Sequence, residues 1–303
     1  MSTESGLPHE MPRSATGTDP QHLLMTLLGD YWRGNAEPIP SPALVELLGE
    51  FGTTESSARQ AIHRLTQRGL LESSKRGRST FYARSHSTSV ATAERLRRAM
   101  GFGVGYPEWD GRWTVVVFSV PESQRDVRRL LRNGLRERGF ALLQEAVWVT
   151  PHDRGTEAVE LLDKLQVTTG SVMRSELIER PGSTAGLGEP FEIDTLESEY
   201  RQFIADYENE VGPAAEGLLG PAEALLLRTR LTGRWLGFRF LDPELPRALL
   251  PEEWPRDRAR EIFVRIYDSL GAPAESRFGQ ILARHDPRLA ELTSHHVSSD
   301  GHR

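Results

Sequence analysis

Apolar residues recur at helical spacing in three successive stretches near the start of the chain. Leu23, Leu24, Leu27, Leu28 and Tyr31 form one stripe within Pro20 to Trp32. Leu44, Val45, Leu47, Leu48 and Phe51 form a second, which opens with the hydroxyl–proline pair Ser41-Pro42. Gly34 to Pro40, between them, reads as a loop. The third stretch runs from Thr54 to Gly69. Thr54 and Glu55 supply a capping hydroxyl and a first-turn acid, Ala58, Ala61, Ile62 and Leu65 make the buried stripe, and Gly69 ends the helix. Ser56, Ser57, Arg59, Gln60, His63, Arg64 and Gln67 are left facing outward. Two strand-like runs follow, Leu70 to Ser74 and Ser79 to Ala83, around Lys75-Arg76-Gly77-Arg78, predicting a hairpin with a basic tip.

The pattern then changes. Ser87 to Met100 predicts a connecting helix, and Gly101 to Glu108, with three glycines and a proline, a hinge. From Arg112 to Val120 the chain is apolar and β-branched, as in a buried strand. A helix through Arg138 on Val127, Leu130, Leu131 and Leu135 comes next, then a strand centred on Val147-Trp148-Val149. A helix from Thr156 to Leu165 and a strand pattern in Gly170 to Glu179 complete the unit. That β-α-β…α-β order predicts a ferredoxin-like α/β sandwich. Beyond a Gly/Pro/Ser-rich linker, Pro181 to Pro190, the remainder reads as mainly helical.

The expected architecture is therefore α+β: a disordered tail (1–19), a winged helix-turn-helix (20–86), a linker helix and hinge (87–108), a ferredoxin-like dimerisation and spacer domain (109–180), a helical C-terminal domain (191–293) and a flexible tail (294–303). The winged-helix reading carries a function. Arg and Gln on a helix in a major groove can bond to base edges, and a basic hairpin can grip phosphates. The DNA-contacting set is Ser56, Ser57, Arg59, Gln60, His63 and Arg64 on the helix with Lys75, Arg76 and Arg78 on the hairpin.

Charge sharpens this reading. The chain of 303 residues has a formal charge of −6, yet Thr54 to Arg84 holds seven Lys/Arg against Glu55 and Glu72, a balance of +5. Residues 1–101 carry twelve basic and ten acidic residues, so the acid excess lies in the remainder. There is no cysteine, which excludes disulfides and thiolate metal sites. No stretch suits a bilayer or a secretory signal, so a cytoplasmic protein is expected. No cofactor or metal site, Gly-rich phosphate loop or serine-centred elbow is expected. His152-Asp153, and His295, His296 and His302 near the end, lack the partners that catalysis or metal binding would need. An enzyme is thus the weaker alternative, as is a winged helix that binds protein.

The assembled motifs resemble the PaaX-like family of bacterial repressors. Leu27-Leu28-Gly29-Asp30-Tyr31-Trp32 with Pro38-Ile39-Pro40 resembles its opening, and Ala58 to Leu65 its recognition helix. Trp109-Asp110-Gly111-Arg112-Trp113 resembles the start of its middle domain. Leu241 to Pro246 with Leu249 to Pro255 resembles its C-terminal signature, departing at Arg256, where glycine is expected. The resemblance implies a homodimeric repressor on a palindromic operator, released by a small-molecule effector, an acyl-CoA thioester in the best-known members. For that ligand the candidates are Arg228, Arg230, Arg234 and Arg239, suited to phosphates, beside Trp235 and Phe238. The middle domain also resembles small CRISPR-associated endonucleases, whose first strand ends near a metal-binding acid. Here Ser119 holds that place, which removes the basis for a metal-dependent nuclease.

Overall fold

The computed structural model describes residues 19–176, 178 and 189–299. The expected tail before Asp19, most of the Pro181–Pro190 linker and His302 lie outside them. In chain order the elements are α1 (Pro20–Tyr31), β1 (Ile39–Pro40), α2 (Ser41–Gly49), α3 (Glu55–Gln67), β2 (Leu71–Arg76), β3 (Ser79–Arg84) and α4 (His86–Gly101). There follow β4 (Trp113–Phe118), α5 (Arg125–Arg136), β5 (Ala141–Gln144), β6 (Val147–Thr150), α6 (Gly155–Lys164) and β7 (Gly170–Ser175). The last are α7 (Ile193–Tyr207), α8 (Val211–Ala215), α9 (Pro221–Leu241), α10 (Arg256–Ser269), α11 (Gly271–Ala283) and α12 (Pro287–Ala290).

These form two compact units, and their limits differ from the expected domains. The first joins residues 1–102 with 202–239 and 258–303; the second joins 103–201 with 240–257. The head and most of the C-terminal helices thus share one unit. The predicted hinge does contain a boundary, at Phe102/Gly103.

In the first unit, α1, α2 and α3 pack through the predicted leucines, with Leu24, Leu27, Leu44, Leu47, Ile62 and Leu65 all buried. Asp19 caps α1 by accepting from the backbone N–H groups of Gln21 and His22 at 3.0 and 3.1 Å. Gly29 lets α4 approach, because a Cβ there would lie 2.7 Å from Thr92 Cγ2. The expected loop before α2 contains β1, which pairs Ile39 with Tyr82 and Pro40 with Phe81, so the sheet has the order β1-β3-β2. From the C-terminal part, Phe278 stacks on Tyr31 at 5.2 Å, and Trp235 stacks on Phe263 at 4.7 Å.

A buried ion pair crosses this core. Arg228 of α9 donates from Nη1 to Asp30 Oδ2 of α1 at 2.7 Å, and both side chains are fully buried. Its other two nitrogens also donate: Nε to the Tyr267 carbonyl at 2.8 Å and Nη2 to the His296 carbonyl at 2.7 Å. The Tyr267 hydroxyl donates to Asp30 Oδ1 at 2.6 Å, and the guanidinium lies 3.8 Å from the centre of the Tyr267 ring. Burial is the largest influence and opposes charge on Arg228, but Asp30 together with Tyr31 and Tyr267 outweighs it and raises the pKa, so the cation persists. Burial pushes the Tyr31 phenol up to about 12, keeping it neutral.

Residues 294–298 of the segment expected to be a flexible tail take part in this core. Ser294 donates its N–H to the Tyr31 carbonyl at 3.2 Å. His295 pairs with Glu275, His296 lies 2.8 Å from Arg33 Nη1, and Ser298 binds Asp268 through its N–H and hydroxyl. A polar tail can bury itself in this way because its polar groups find partners. Gly271 is needed beneath it, since a Cβ there would come 2.3 Å from His295 Cδ2.

The second unit is built on a four-stranded antiparallel sheet of order β5-β6-β4-β7. The single strand expected around Trp148 is a hairpin, β5 and β6, turning through Glu145 at φ 38°. Val116 and Phe118 point to one face, covered by Leu131 and Leu135 of α5 and by Ala158, Leu161 and Leu162 of α6. Trp113, Val115 and Val149 point to the other, covered by Phe191 and Leu245. The two sequence motifs around Trp109 and Leu245 therefore meet across one sheet face. Asp242 anchors the second motif. It accepts from the Tyr200 hydroxyl at 2.6 Å and lies 3.5 Å from Arg256 Nη1. Arg256 is buried, donates to the Gly105 carbonyl at 2.8 Å and sits 4.2 Å from the Tyr106 ring centre.

Replacing Arg228 with methionine strands the Asp30 carboxylate and should lower stability by about 3–5 kcal/mol, read from urea unfolding of the full chain. The double variant Asp30→Leu/Arg228→Met should recover a large part of that loss; equal stability of Arg228→Met and wild type would show that the pair holds nothing. Gly271→Ala should displace His295, so amide exchange at Ser294 and Ser298 should quicken while exchange in α3 stays unchanged.

Candidate nucleic-acid interface

The candidate surface rests on α3 and the β2–β3 hairpin. Thr54 caps α3 by accepting from the Ser57 N–H at 3.3 Å, and the opposite face is fixed by burial of Ala58, Ala61, Ile62 and Leu65. Because the helix is anchored on that side, Ser56, Ser57, Arg59, Gln60, His63, Arg64 and Gln67 are all exposed. The hairpin extends further than the sequence implied. Lys75 pairs with Thr80 and Arg76 with Ser79, leaving Gly77-Arg78 as the turn. Lys75, Arg76 and Arg78 are exposed as well, so the structure leaves all nine predicted residues open on the first unit.

Two acids hold these cations in place. Glu55 accepts from Arg59 Nε and Nη2 at 2.9 and 2.6 Å, one helical turn away. Glu37 binds Arg76 Nη2 at 3.2 Å, and the Arg76 guanidinium lies 5.0 Å from the Phe81 ring centre. Exposed pairs of this kind are weak, so either arginine can exchange its carboxylate for a base edge or a phosphate. Arg84 behaves differently. It is buried and donates to the Trp32 carbonyl at 2.5 Å, and burial pulls its pKa down to about 10. It belongs to the head's interior, and with Arg68 half-buried the exposed basic set is Arg59, Arg64, Lys75, Arg76 and Arg78.

The structure divides the six effector candidates. Arg228 is committed to Asp30, as described. Trp235 and Phe238 are buried in an aromatic cluster with Phe203, where Trp235 Nε1 donates to the Ala99 carbonyl at 3.0 Å. These three side chains are thus interior, which periodicity alone could not show. Arg230 is exposed, and Arg234 and Arg239 are half-buried on the same helix.

His152 is held by the Pro243 carbonyl at 2.8 Å. Among the described residues no group of three or more His, Asp or Glu side chains is placed to hold a metal ion. No described helix is long and apolar enough to cross a membrane.

Known proteins share these features across most of the chain. Residues 19–88 match the family model for PaaX-like protein, residues 106–185 the PaaX protein central Cas2-like domain, and residues 191–280 the PaaX-like protein C-terminal domain. The chain is 26% identical over 264 residues to the transcriptional repressor PaaX of Escherichia coli K12, covering 84% of this chain and 81% of that one. A solved structure, the uncharacterized protein Rv0674 from Mycobacterium tuberculosis, shares the fold with a TM-score of 0.54 at 21% identity, covering 88% of this chain and 99% of that one. With all three regions matched in order, and with the motifs around Asp30, Trp109 and Asp242 each built into a core, the chain belongs to the PaaX-like family.

Proposed function

We propose that this protein is a cytoplasmic, sequence-specific DNA-binding transcriptional repressor that acts as a homodimer. The first unit presents a winged helix-turn-helix, with α3 as recognition helix and the β2–β3 hairpin as wing. Ser56, Ser57, Arg59, Gln60 and His63 read base edges in the major groove, while Arg64, Lys75, Arg76 and Arg78 hold phosphates. The observation that carries this reading is the exposed polar face of α3, held outward by four buried apolar residues and flanked by a basic hairpin. The relative that covers most of the chain is itself a transcriptional repressor. Two copies related by a two-fold axis would read half-sites about one helical turn apart.

The second unit follows the β-α-β-β-α-β order of a ferredoxin-like sandwich and serves in this reading as the dimerising body. Release comes from a small anionic effector, with a CoA thioester as the class to test first. Arg230, Arg234 and Arg239 of α9 are the cations to test as its contacts.

Selection of bound sites from random duplex DNA by the full-length protein should return a palindrome. Arg59→Ala should then relax preference at one base position in each half-site, costing about 1–3 kcal/mol of discrimination there. Arg76→Ala should weaken operator and random DNA alike and reduce the slope of log affinity against log salt by about one unit. A changed sequence preference for Arg76→Ala with an unchanged slope would reverse these roles, and recovery of no enriched site would end the reading.

A further inference from the structure

The second unit carries a basic feature that its fold does not require. Residues 103–201 and 240–257 hold fourteen Lys/Arg against twenty-two Asp/Glu. Within them, residues 122–138 hold six arginines and three acids, leaving eight basic and nineteen acidic residues elsewhere in the unit. The positive charge is therefore gathered onto one element, α5, set in acidic surroundings.

The spacing arranges it further. Arg125, Arg129, Arg132 and Arg136 follow one another at intervals of four, three and four residues, so they form a single row along the helix. At 1.5 Å per residue the row is about 16 Å long. The core side of α5 is made by Leu131, Gly134 and Leu135; Arg125, Arg129 and Arg136 are exposed, and Arg132 is half-buried with its Nε covered. The Arg125 and Arg129 side chains are 78% and 70% exposed. Their partners Glu122 and Asp126, each at 2.9 Å, are exposed acids one turn away, so these pairs give way to a stronger anion at little cost. Arg136 is steadied 5.4 Å from the Trp148 ring centre.

We infer that α5 is a second contact surface for duplex DNA, binding the phosphate backbone without reading sequence. A row of guanidinium groups suits an extended polyanion, since each can pair with a phosphate through two parallel hydrogen bonds. The inference rests on the DNA-binding reading of α3 but concerns different residues, and the two can fail separately.

The test uses full-length protein and a labelled duplex of mixed sequence, about 40 base pairs or roughly four helical turns long. Binding is followed by anisotropy across a salt series. Arg125→Gln/Arg129→Gln should reduce the slope of log affinity against log salt by about two units, and Arg125→Lys/Arg129→Lys should keep it. Both sites are exposed, so the circular dichroism melt should match wild type. Site preference should be unchanged, which separates α5 from α3. An unaltered slope in the glutamine variant, with Arg76→Ala still losing one unit, overturns the α5 contact and leaves the head reading intact. Absence of duplex binding by wild type overturns both. A loss confined to single-stranded RNA or to anionic vesicles assigns the row to another partner and overturns it as well.

Discussion

The first unit depends on one buried ion pair, Asp30 with Arg228. Two charges out of water are tolerable only when every donor and acceptor around them is used. Here the carboxylate receives Arg228 and the Tyr267 hydroxyl, while the guanidinium also reaches two backbone carbonyls and covers an aromatic ring. The residues involved lie on α1, α9, α10 and the segment after α12. The site thus works as a keystone between the beginning and the end of the chain. A second tie reinforces it: Arg277 of α11 grips Glu50, at the end of α2, through Nε and Nη2 at 2.9 and 2.7 Å. Helix α3 packs on α1 and α2, so the frame that orients it is shared with the C-terminal helices.

This arrangement separates two kinds of arginine. Those at the surface, such as Arg59 and Arg76, have exposed carboxylate partners that hold them loosely. Those in the interior, Arg84, Arg228 and Arg256, each meet a backbone carbonyl. The latter two also face a carboxylate and an aromatic ring. Arginine suits both tasks because its planar cation is weakly hydrated and keeps its charge when buried.

Local order was legible in the sequence, and long-range order was not. The three head helices, the exposed face of α3 and the basic hairpin followed from periodicity, caps and turn residues. The β5–β6 hairpin was missed because its turn, Gln144-Glu145-Ala146, lacks the glycine, proline or asparagine that marks such turns. β1 was missed because two residues give no alternation to read. The joining of the head to the C-terminal helices in one unit was not legible for a different reason. Asp30 and Arg228 are 198 positions apart, and neither differs locally from a solvated helix residue. Only the fold could show that Arg228 and Trp235, offered as ligand contacts, are interior. The same holds for the tail residues Ser294 to Ser298, whose polar composition matched that of a free end.

The shared frame constrains how any effector could act. A ligand shifts a conformational equilibrium only by its difference in affinity for the two states, and a nearly complete switch needs about 5.5 kcal/mol, or roughly 10⁴-fold. Charge on an exposed arginine supplies little of this by itself. Arg230 and Arg234, however, are on the same helix as Arg228, one-half and one and two-thirds turns beyond it by the roughly 3.6-residue period. An anion that draws these residues together by displacing α9 would do so against the Asp30 pair. Breaking such a pair costs about 3–5 kcal/mol, which is comparable to the shift a switch requires. Any movement of α9 relative to α1 therefore has to break the Asp30–Arg228 pair, at a cost of that order.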